Sequence, residues 1–347
     1  MDNTPRKNAT IDYLKFVSAV IVVFLHTVEQ KKIAVTGLMH LVTQGFHYAI
    51  WLVNPVEIFL LTSGFYFFRS SYDFENNCFN SIKYKRKLKH YIMLYLGWSV
   101  LYIPNILVRI ISLLSDGKSA ITIILYIFKK VFVSGTTGIM WYMLGVIYAL
   151  IALFILLKFF KDYCVLIFTF ILYCVSLLGS SYYHLLNGYY AQNLFDTVLK
   201  FTGSFYLLRA PIFMMIGYYL NKYAHKRGKC TIKPLLYLIP LYVVSVGALF
   251  FERHNCIEHS LGIEYPAFMM SILAPTLLFL ICQNYHIDGN AISGFFGSCS
   301  SFIYFTHWQI LTIFGQTWGG MVLCILLGML GNGGYIAIQS QLKKSKK

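Results

Sequence analysis

The chain predicts an all-α integral membrane protein, a bundle of about ten transmembrane helices with both termini in the cytoplasm. Three observations predict it. Hydrophobic residues make up 58% of the 347, and only 12% are charged, where soluble domains carry about 25%. Apolar runs of roughly spanning length recur from one end of the chain to the other. Lys and Arg collect in alternate connections between those runs. Ten spans leave no room for a large soluble domain, so residues 1–347 read as a single transmembrane domain.

A spanning helix needs about 20 mostly apolar residues. Runs of that kind occupy roughly 10–28, 47–68, 91–112, 139–157, 163–180, 205–220, 234–251, 264–282, 299–315 and 320–339. Pro55, Pro104, Pro211 and Pro275 lie inside or beside them, which membrane helices tolerate when neighbours satisfy the freed carbonyls. The stretch 120–133 is short and carries Lys129 and Lys130, so it reads as an interfacial amphipathic helix. Residues 33–46 read as a similar surface segment. The first run follows Arg6 and Lys7 in the manner of a signal peptide. It contains Asp12 and Lys15 and has no small-residue cleavage site after it, so it is expected to be retained.

With the N-terminus inside, 19 of the 29 Lys and Arg fall on the cytoplasmic side, 7 outside and 3 within spans. That asymmetry fixes the orientation and asks for an even helix count. A net charge of +16 in a soluble protein would point to nucleic acid. Here the basic residues sit between apolar segments, so the partner they imply is the lipid bilayer of a cell membrane, with no nucleic acid. The tail Lys343–Lys347 reads as a membrane-surface anchor. Of the eight cysteines only Cys256 is placed outside, so no disulfide framework follows. No CxxC pair exists, and no metal is expected.

Lys15 and His26 are the most informative pair. They lie in one apolar run, eleven positions apart, which is close to three whole turns of 3.6 residues. Both side chains therefore share a helix face, about 16 Å apart along the axis. Ionisable groups within a membrane helix are costly unless a cavity receives them, and such residues mark function by default. Taken singly, Lys15 can snorkel to the interface and His26 can bond a carbonyl; the shared face argues against both readings.

Other segments carry chemistry too. Val56 to Phe65 places Glu57, Ser63 and Gly64 in the second span, where small residues also suit close helix packing. Arg86 and Lys87, with Lys83, Lys85 and Lys89, open the third span as a phosphate cradle or a plain positive-inside anchor. Arg209 and Pro211 lie in the sixth span. Ser300 to Trp308 puts Tyr304 and His307 on a polar stripe in the ninth, which is expected to turn away from lipid.

In order along the chain, these features resemble the acyltransferase-3 family of integral membrane acyltransferases. Ile11-Asp12-Tyr13-Leu14-Lys15 followed by His26 resembles the family's opening helix, in which ten positions separate a basic residue from a histidine. Val56-Glu57-Ile58-Phe59-Leu60-Leu61-Thr62-Ser63-Gly64-Phe65 is similar to its next signature. Met140-Trp141-Tyr142-Met143-Leu144 resembles its Trp-centred segment, and Ser301-Phe302-Ile303-Tyr304-Phe305-Thr306-His307 its late segment of Ser, Ile-Tyr and His. The lysine at position 15, where many members have arginine, is similar to the membrane domain of the vancomycin-resistance serine racemases.

The resemblance implies a ten-helix O-acyltransferase. It would move an acyl group, usually acetyl, from cytoplasmic acyl-CoA to a hydroxyl of an extracytoplasmic sugar or other envelope acceptor, as in polysaccharide modification. Lys15, near the inner end of the first helix, suits the donor's phosphates. His26 suits a general base on the acceptor hydroxyl, with Glu29 and Glu57 as candidates to orient its imidazole. Ser63, Arg86, Lys87, Trp141, Arg209, Tyr304 and His307 are the expected substrate- or donor-binding residues, His307 lining the same cavity as His26. A transporter for a small polar solute would also gather buried Lys, His and Glu near the midplane; no paired inverted halves are visible. A structural or sensory membrane protein is a third reading, which leaves the Lys15–His26 pair without a purpose.

Overall fold

The computed structural model describes residues 8–29, 37–202, 205–227, 234–264 and 266–344. These are helical almost throughout, and the one sheet among them is a two-stranded hairpin. The chain packs as two units: Met1–Phe59, Lys229–Val246 and Leu273–Lys347 form the first, Leu60–Gly228 and Gly247–Ile272 the second.

In the first unit, helix α1 (Ala9–Phe24) starts at Asn8, whose side chain accepts the Thr10 amide. The entry is tied down further, because the Ala9 amide donates to Ile287 O at 2.9 Å and the Thr10 hydroxyl to Tyr285 O at 2.7 Å. Past Phe24 the helix widens into a π-turn, Leu25–Glu29. Such turns often accompany functional sites. Helix α2 (Gly37–Val53) runs through the segment read as a surface stretch and most of its residues are exposed. Between α2 and α3 Asn54 adopts φ +49, and Pro55 opens helix α3 (Pro55–Ser71); together the two helices form one apolar stretch, Gly37–Ser71, that contains the expected span over 47–68. A proline at the first helical position has no amide to lose, and its ring bars the preceding residue from continuing a helix.

The second unit begins along α3 and turns through β1 (Tyr72–Asp73) and β2 (Cys78–Phe79), paired antiparallel. Helix α4 (Ser81–Val100) starts ten residues before the expected third span because Asn80 caps it, accepting the Lys83 amide at 3.0 Å. Arg86 and Lys87 therefore sit on the helix itself. Helix α5 (Ile103–Ser115) is bent 59° from α4, with Pro104 in its first turn. The short helix α6 (Ala120–Phe128) is largely exposed, with no buried residue, and passes into a second π-turn, Lys129–Val133. Hydroxyls of Tyr95 and Tyr148 donate to the carbonyls of Val131 and Phe132 in that turn.

Helices α7 (Trp141–Phe159), α8 (Asp162–Leu178) and, after α9 (Tyr190–Thr202), α10 (Ala210–Arg227) make the centre of this unit. Helix α3 crosses α10 at glycine. A Cβ on Gly64 would lie 2.6 Å from Met214 Cα, and one on Gly217 2.5 Å from the Phe65 amide nitrogen. Asn221 donates to Phe65 O beside this crossing, and Lys222 pairs with Asp162. Helix α11 (Leu235–Glu258) keeps Pro240 in its interior. Near its end Glu252 accepts the amides of Met269 and Met270 at 2.7 and 2.8 Å and the Tyr182 hydroxyl. Burial and that carboxylate push the Tyr182 hydroxyl well above the usual tyrosine range.

The first unit closes with α12 (Leu273–Asn284), α13 (Ala291–Phe314) and α14 (Trp318–Lys344). Helix α13 packs along α1 on one side and α14 on the other. Close approach again needs glycine: a Cβ on Gly297 would meet Asp12 Oδ1 at 2.3 Å, and one on Gly328 would meet Ile303 Cγ1 at 2.6 Å. Among the described residues, Ala9–Thr27, Gly37–Ser71, Trp141–Phe159, Leu235–Glu258 and Trp318–Leu342 are long and apolar enough to cross a bilayer, with the bent α4–α5 pair a sixth. The architecture is that of an all-α, multi-pass membrane protein.

Candidate functional site

Two polar clusters stand out, one within each unit. The first is built on α1 and α13. Asp12, only 8% exposed, faces Gly297 and accepts an ion pair from Lys15 Nζ at 3.3 Å. The apolar run thus supplies its own counter-charge to Lys15, one turn back on the same helix. This answers part of the cost of an ammonium group there.

Further along α1, the Thr27 hydroxyl turns back onto the carbonyls of Val23 and Phe24, both at 3.0 Å. Beside it the His26 ring stacks on His307, with centroids 5.3 Å apart and planes 21° from parallel. Trp308 meets His26 edge-on at 5.5 Å and 88°. His307 is 0% exposed. Its Nδ1 lies 2.6 Å from Tyr304 O. A carbonyl only accepts, so Nδ1 carries the hydrogen and Nε2 presents a lone pair. Nε2 is buried and has no hydrogen-bond partner among the described residues. Tyr304 packs edge-on to His307 at 5.9 Å and to Phe59 at 5.4 Å. From the other side of the helix, Cys324 Sγ approaches His307 O at 3.6 Å. A neutral, unpaired imidazole nitrogen beside a second imidazole is the equipment of a proton acceptor.

Of the two carboxylates expected to orient His26, Glu57 lies in the first turn of α3 and is 5% exposed. The Glu29 side chain lies outside the described residues, although its backbone closes the π-turn. Because the helix widens from Leu25 onward, the 3.6-residue period that relates Lys15 to His26 stops holding just before the histidine.

The second cluster joins α3, α7 and the turn before α10. Ser63 Oγ and Tyr142 Oη are 2.7 Å apart. Arg209, 4% exposed, places its guanidinium 5.1 Å from the Trp141 ring and 4.7 Å from that of Tyr206. Nη1 donates to Pro266 O at 3.3 Å, and the Tyr206 hydroxyl donates to Glu264 Oε2 at 2.7 Å. The two rings are themselves in contact, centroids 5.1 Å apart, so the cation lies beside both of them, a position arginine's flat guanidinium suits better than an ammonium. Arg86 is exposed and Lys87 half-buried on α4.

The structure therefore gathers His26, Tyr304 and His307 in one place, and Trp141 and Arg209 in another. Sequence reading missed Asp12, Tyr142, Tyr206 and Glu264 as partners. Asp12 and Tyr142 stood inside segments already singled out. Tyr206 and Glu264 meet across 58 positions, and nothing local announces it. No group of His, Cys, Asp and Glu among the described residues is arranged to hold a metal.

Comparison with known proteins follows the same segments. A family profile described as an acyltransferase domain matches residues 8–330. The chain is 26% identical over 293 residues to an amino-acid racemase of Enterococcus faecalis, covering 82% of this chain and 37% of that protein. This chain thus spans well under half the length of that curated relative. No solved structure gives a significant match. With the profile covering nearly the whole chain, from the Asn8 cap into the first half of α14, the protein belongs to the acyltransferase-3 family.

Proposed function

We propose that this protein is a membrane O-acyltransferase that moves an acyl group, acetyl in the simplest case, from cytoplasmic acyl-CoA to a hydroxyl of an extracytoplasmic carbohydrate or other envelope acceptor. The observation that carries the reading is the His26–His307 pair: two imidazoles in contact, one with a committed Nδ1 hydrogen and an unpaired Nε2. Family membership supports acyl transfer as the class of chemistry. The proposal includes ten spans, both termini in the cytoplasm and residence in the cell membrane.

In this mechanism His26 takes the proton of the acceptor hydroxyl as its oxygen attacks the thioester carbonyl. The C–O bond forms, the C–S bond breaks, and the thiolate leaves as CoA thiol after receiving a proton from the imidazolium. General-base assistance of this kind is worth about 10²–10⁴ in rate. Lys15 serves the donor's phosphates and Asp12 holds it in place beforehand, while Glu57 and Glu29 orient the base. Arg86 and Lys87 gather anionic donor at the surface, and Ser63, Trp141 and Arg209 line its path. Tyr304 and His307 shape the space around the acceptor hydroxyl.

The test is incubation of purified full-length protein with labelled acetyl-CoA and envelope carbohydrate. Transfer of label to alkali-labile ester supports the reading. Uptake of solute by proteoliposomes with no transfer or hydrolysis of acetyl-CoA would replace it with transport.

A further inference from the structure

We propose that the cavity beside the β1–β2 hairpin is a nucleotide site, taking the adenosine phosphate end of the donor. The inference rests on the acyl-CoA reading above, but none of its residues belongs to the two clusters already described. The cavity has a volume of about 280 Å³, room for a nucleoside-sized group. It lies wholly within the second unit, where the hairpin and the start of α4 meet the end of α7.

Its floor is aromatic. Phe79 and Phe154 line it, their rings 5.1 Å apart and inclined at 55°. Tyr84 stacks on the far side of Phe154 at 4.1 Å and 20°, which fixes that ring in place. Tyr72 closes the floor against Phe79 at 4.9 Å and 89°. Flat aromatic surfaces are what a base stacks on, and every base has a face to offer.

Its rim offers donors. Asn77, Ser81 and Lys158 are exposed around the mouth. The Tyr72 hydroxyl donates to Asn77 Oδ1 at 2.9 Å, so the Asn77 amide presents its NH₂ outward. Lys158 lines the rim, with its ammonium 5.6 Å from the centre of the neighbouring Phe159 ring, and Ser81 brings the positive end of α4. No lining residue carries negative charge. Of the two acids in the hairpin turn, Asp73 is already bonded to the amides of Glu75 and Asn76 and to the Asn76 side chain, and Glu75 is exposed and not among the lining residues. A rim of donors over an aromatic floor matches a base joined to phosphates. A phospholipid headgroup would use the rim and leave the floor idle. The connection also lies on the side that the Lys and Arg distribution assigns to the cytoplasm, where acyl-CoA is.

The experiment is equilibrium binding to the full-length protein in detergent, with adenosine 3′,5′-bisphosphate and ribose 5-phosphate as probes. We expect the bisphosphate to bind at least 10-fold more tightly than the sugar phosphate and to be displaced by acetyl-CoA. Lys158→Glu should weaken both probes 10-fold or more. Phe154→Leu and, separately, Phe79→Leu should weaken only the bisphosphate, with thermal unfolding reporting that each variant is folded. Equal affinity for the two probes would make this a headgroup or simple phosphate site and overturn the proposal. So would wild-type affinity in Lys158→Glu, no binding of the bisphosphate, or binding that acetyl-CoA does not displace. Nucleotide binding as expected with no acetyl transfer to any acceptor would sink the acyltransferase reading and leave this site standing.

Discussion

His26 and His307 lie face to face, their rings 5.3 Å apart and 21° from parallel, on two helices far apart in the chain. The Nδ1 hydrogen of His307 is committed to Tyr304 O, so the rings are not equivalent. His307 is pinned within α13, whereas His26 sits on a π-turn and is partly exposed. In the proposed mechanism His26, the more open ring, is the one that exchanges protons with the substrate, and His307 holds it in register.

The first expectation concerns His26. His26→Ala should lower acetyl transfer by about 10²–10⁴, the usual worth of a general base, while size-exclusion profile and membrane insertion stay as in the wild type. Transfer at the wild-type rate would remove His26 from the chemistry.

The two functions of the His307 ring separate by substitution. His307→Ala empties a fully buried site and should cost about 2–5 kcal/mol, as for other large buried side chains, visible as a lower unfolding temperature in detergent. His307→Phe keeps a flat ring against His26 and should unfold close to the wild type, yet transfer poorly because Nε2 is gone. If Phe restores activity along with stability, the ring serves packing alone.

Asp12 and Gly297 make a coupled pair. Gly297→Ala would press a methyl group to 2.3 Å from Asp12 Oδ1, pushing the carboxylate away from Lys15. Overpacking of this kind costs about 1–3 kcal/mol. In an Asp12→Ala background the cost should fall but not vanish, because the Cβ that remains at position 12 still lies 2.9 Å from the added methyl group. The cycle is read from unfolding midpoints in the four proteins; simple additivity would show that the two sites do not press on each other.

The α3–α10 crossing should tolerate nothing larger than glycine. Gly64→Ala and Gly217→Ala each direct a methyl group at backbone, at 2.6 and 2.5 Å, which cannot rotate aside. Both should destabilise by about 1–3 kcal/mol. Gly97→Ala on α4 meets nothing within 4 Å and should be slightly stabilising, since alanine favours a helix interior over glycine. Equal melting of all three would discount close packing at the crossing.

Arg209 should not be replaceable by lysine. The guanidinium packed against Trp141 and Tyr206 relies on a planar group, and Arg209→Lys keeps only the charge. Trp141→Leu should cost about 0.5–2 kcal/mol through the lost cation–π contact. Unfolding of Arg209→Lys at the wild-type temperature would show that charge alone suffices there.

Much of the architecture was legible in the chain itself. Apolar runs, few charges and asymmetric lysines specify a helical membrane protein, because the bilayer removes every alternative that leaves backbone groups unpaired. The pair Lys15 and His26, the Glu57-to-Gly64 segment, Trp141 and the His307 segment were visible as local patterns in family order. Helix breaks were harder to place. Pro55 and Pro104 were noted, yet a membrane helix can absorb a proline: Gly37–Ser71 runs past Pro55 as one apolar stretch, whereas the chain bends 59° between α4 and α5, just before Pro104. The early start of α4 was missed because its first turns are basic, although the Asn80 cap was there to be read.

By itself, then, the sequence determined the fold class, the family and the first histidine, since these rest on composition and short-range spacing. Tertiary structure alone decided how partners meet: the stacking of His307 on His26, Asp12 held against Gly297, Arg209 beside the touching rings of Trp141 and Tyr206, and the donor-rimmed cavity at Lys158. Helical periodicity fixes which face a side chain takes but not which helix it will meet. Helix pairing is settled by close contacts between small residues and aromatic rings, which leave no local mark in the chain.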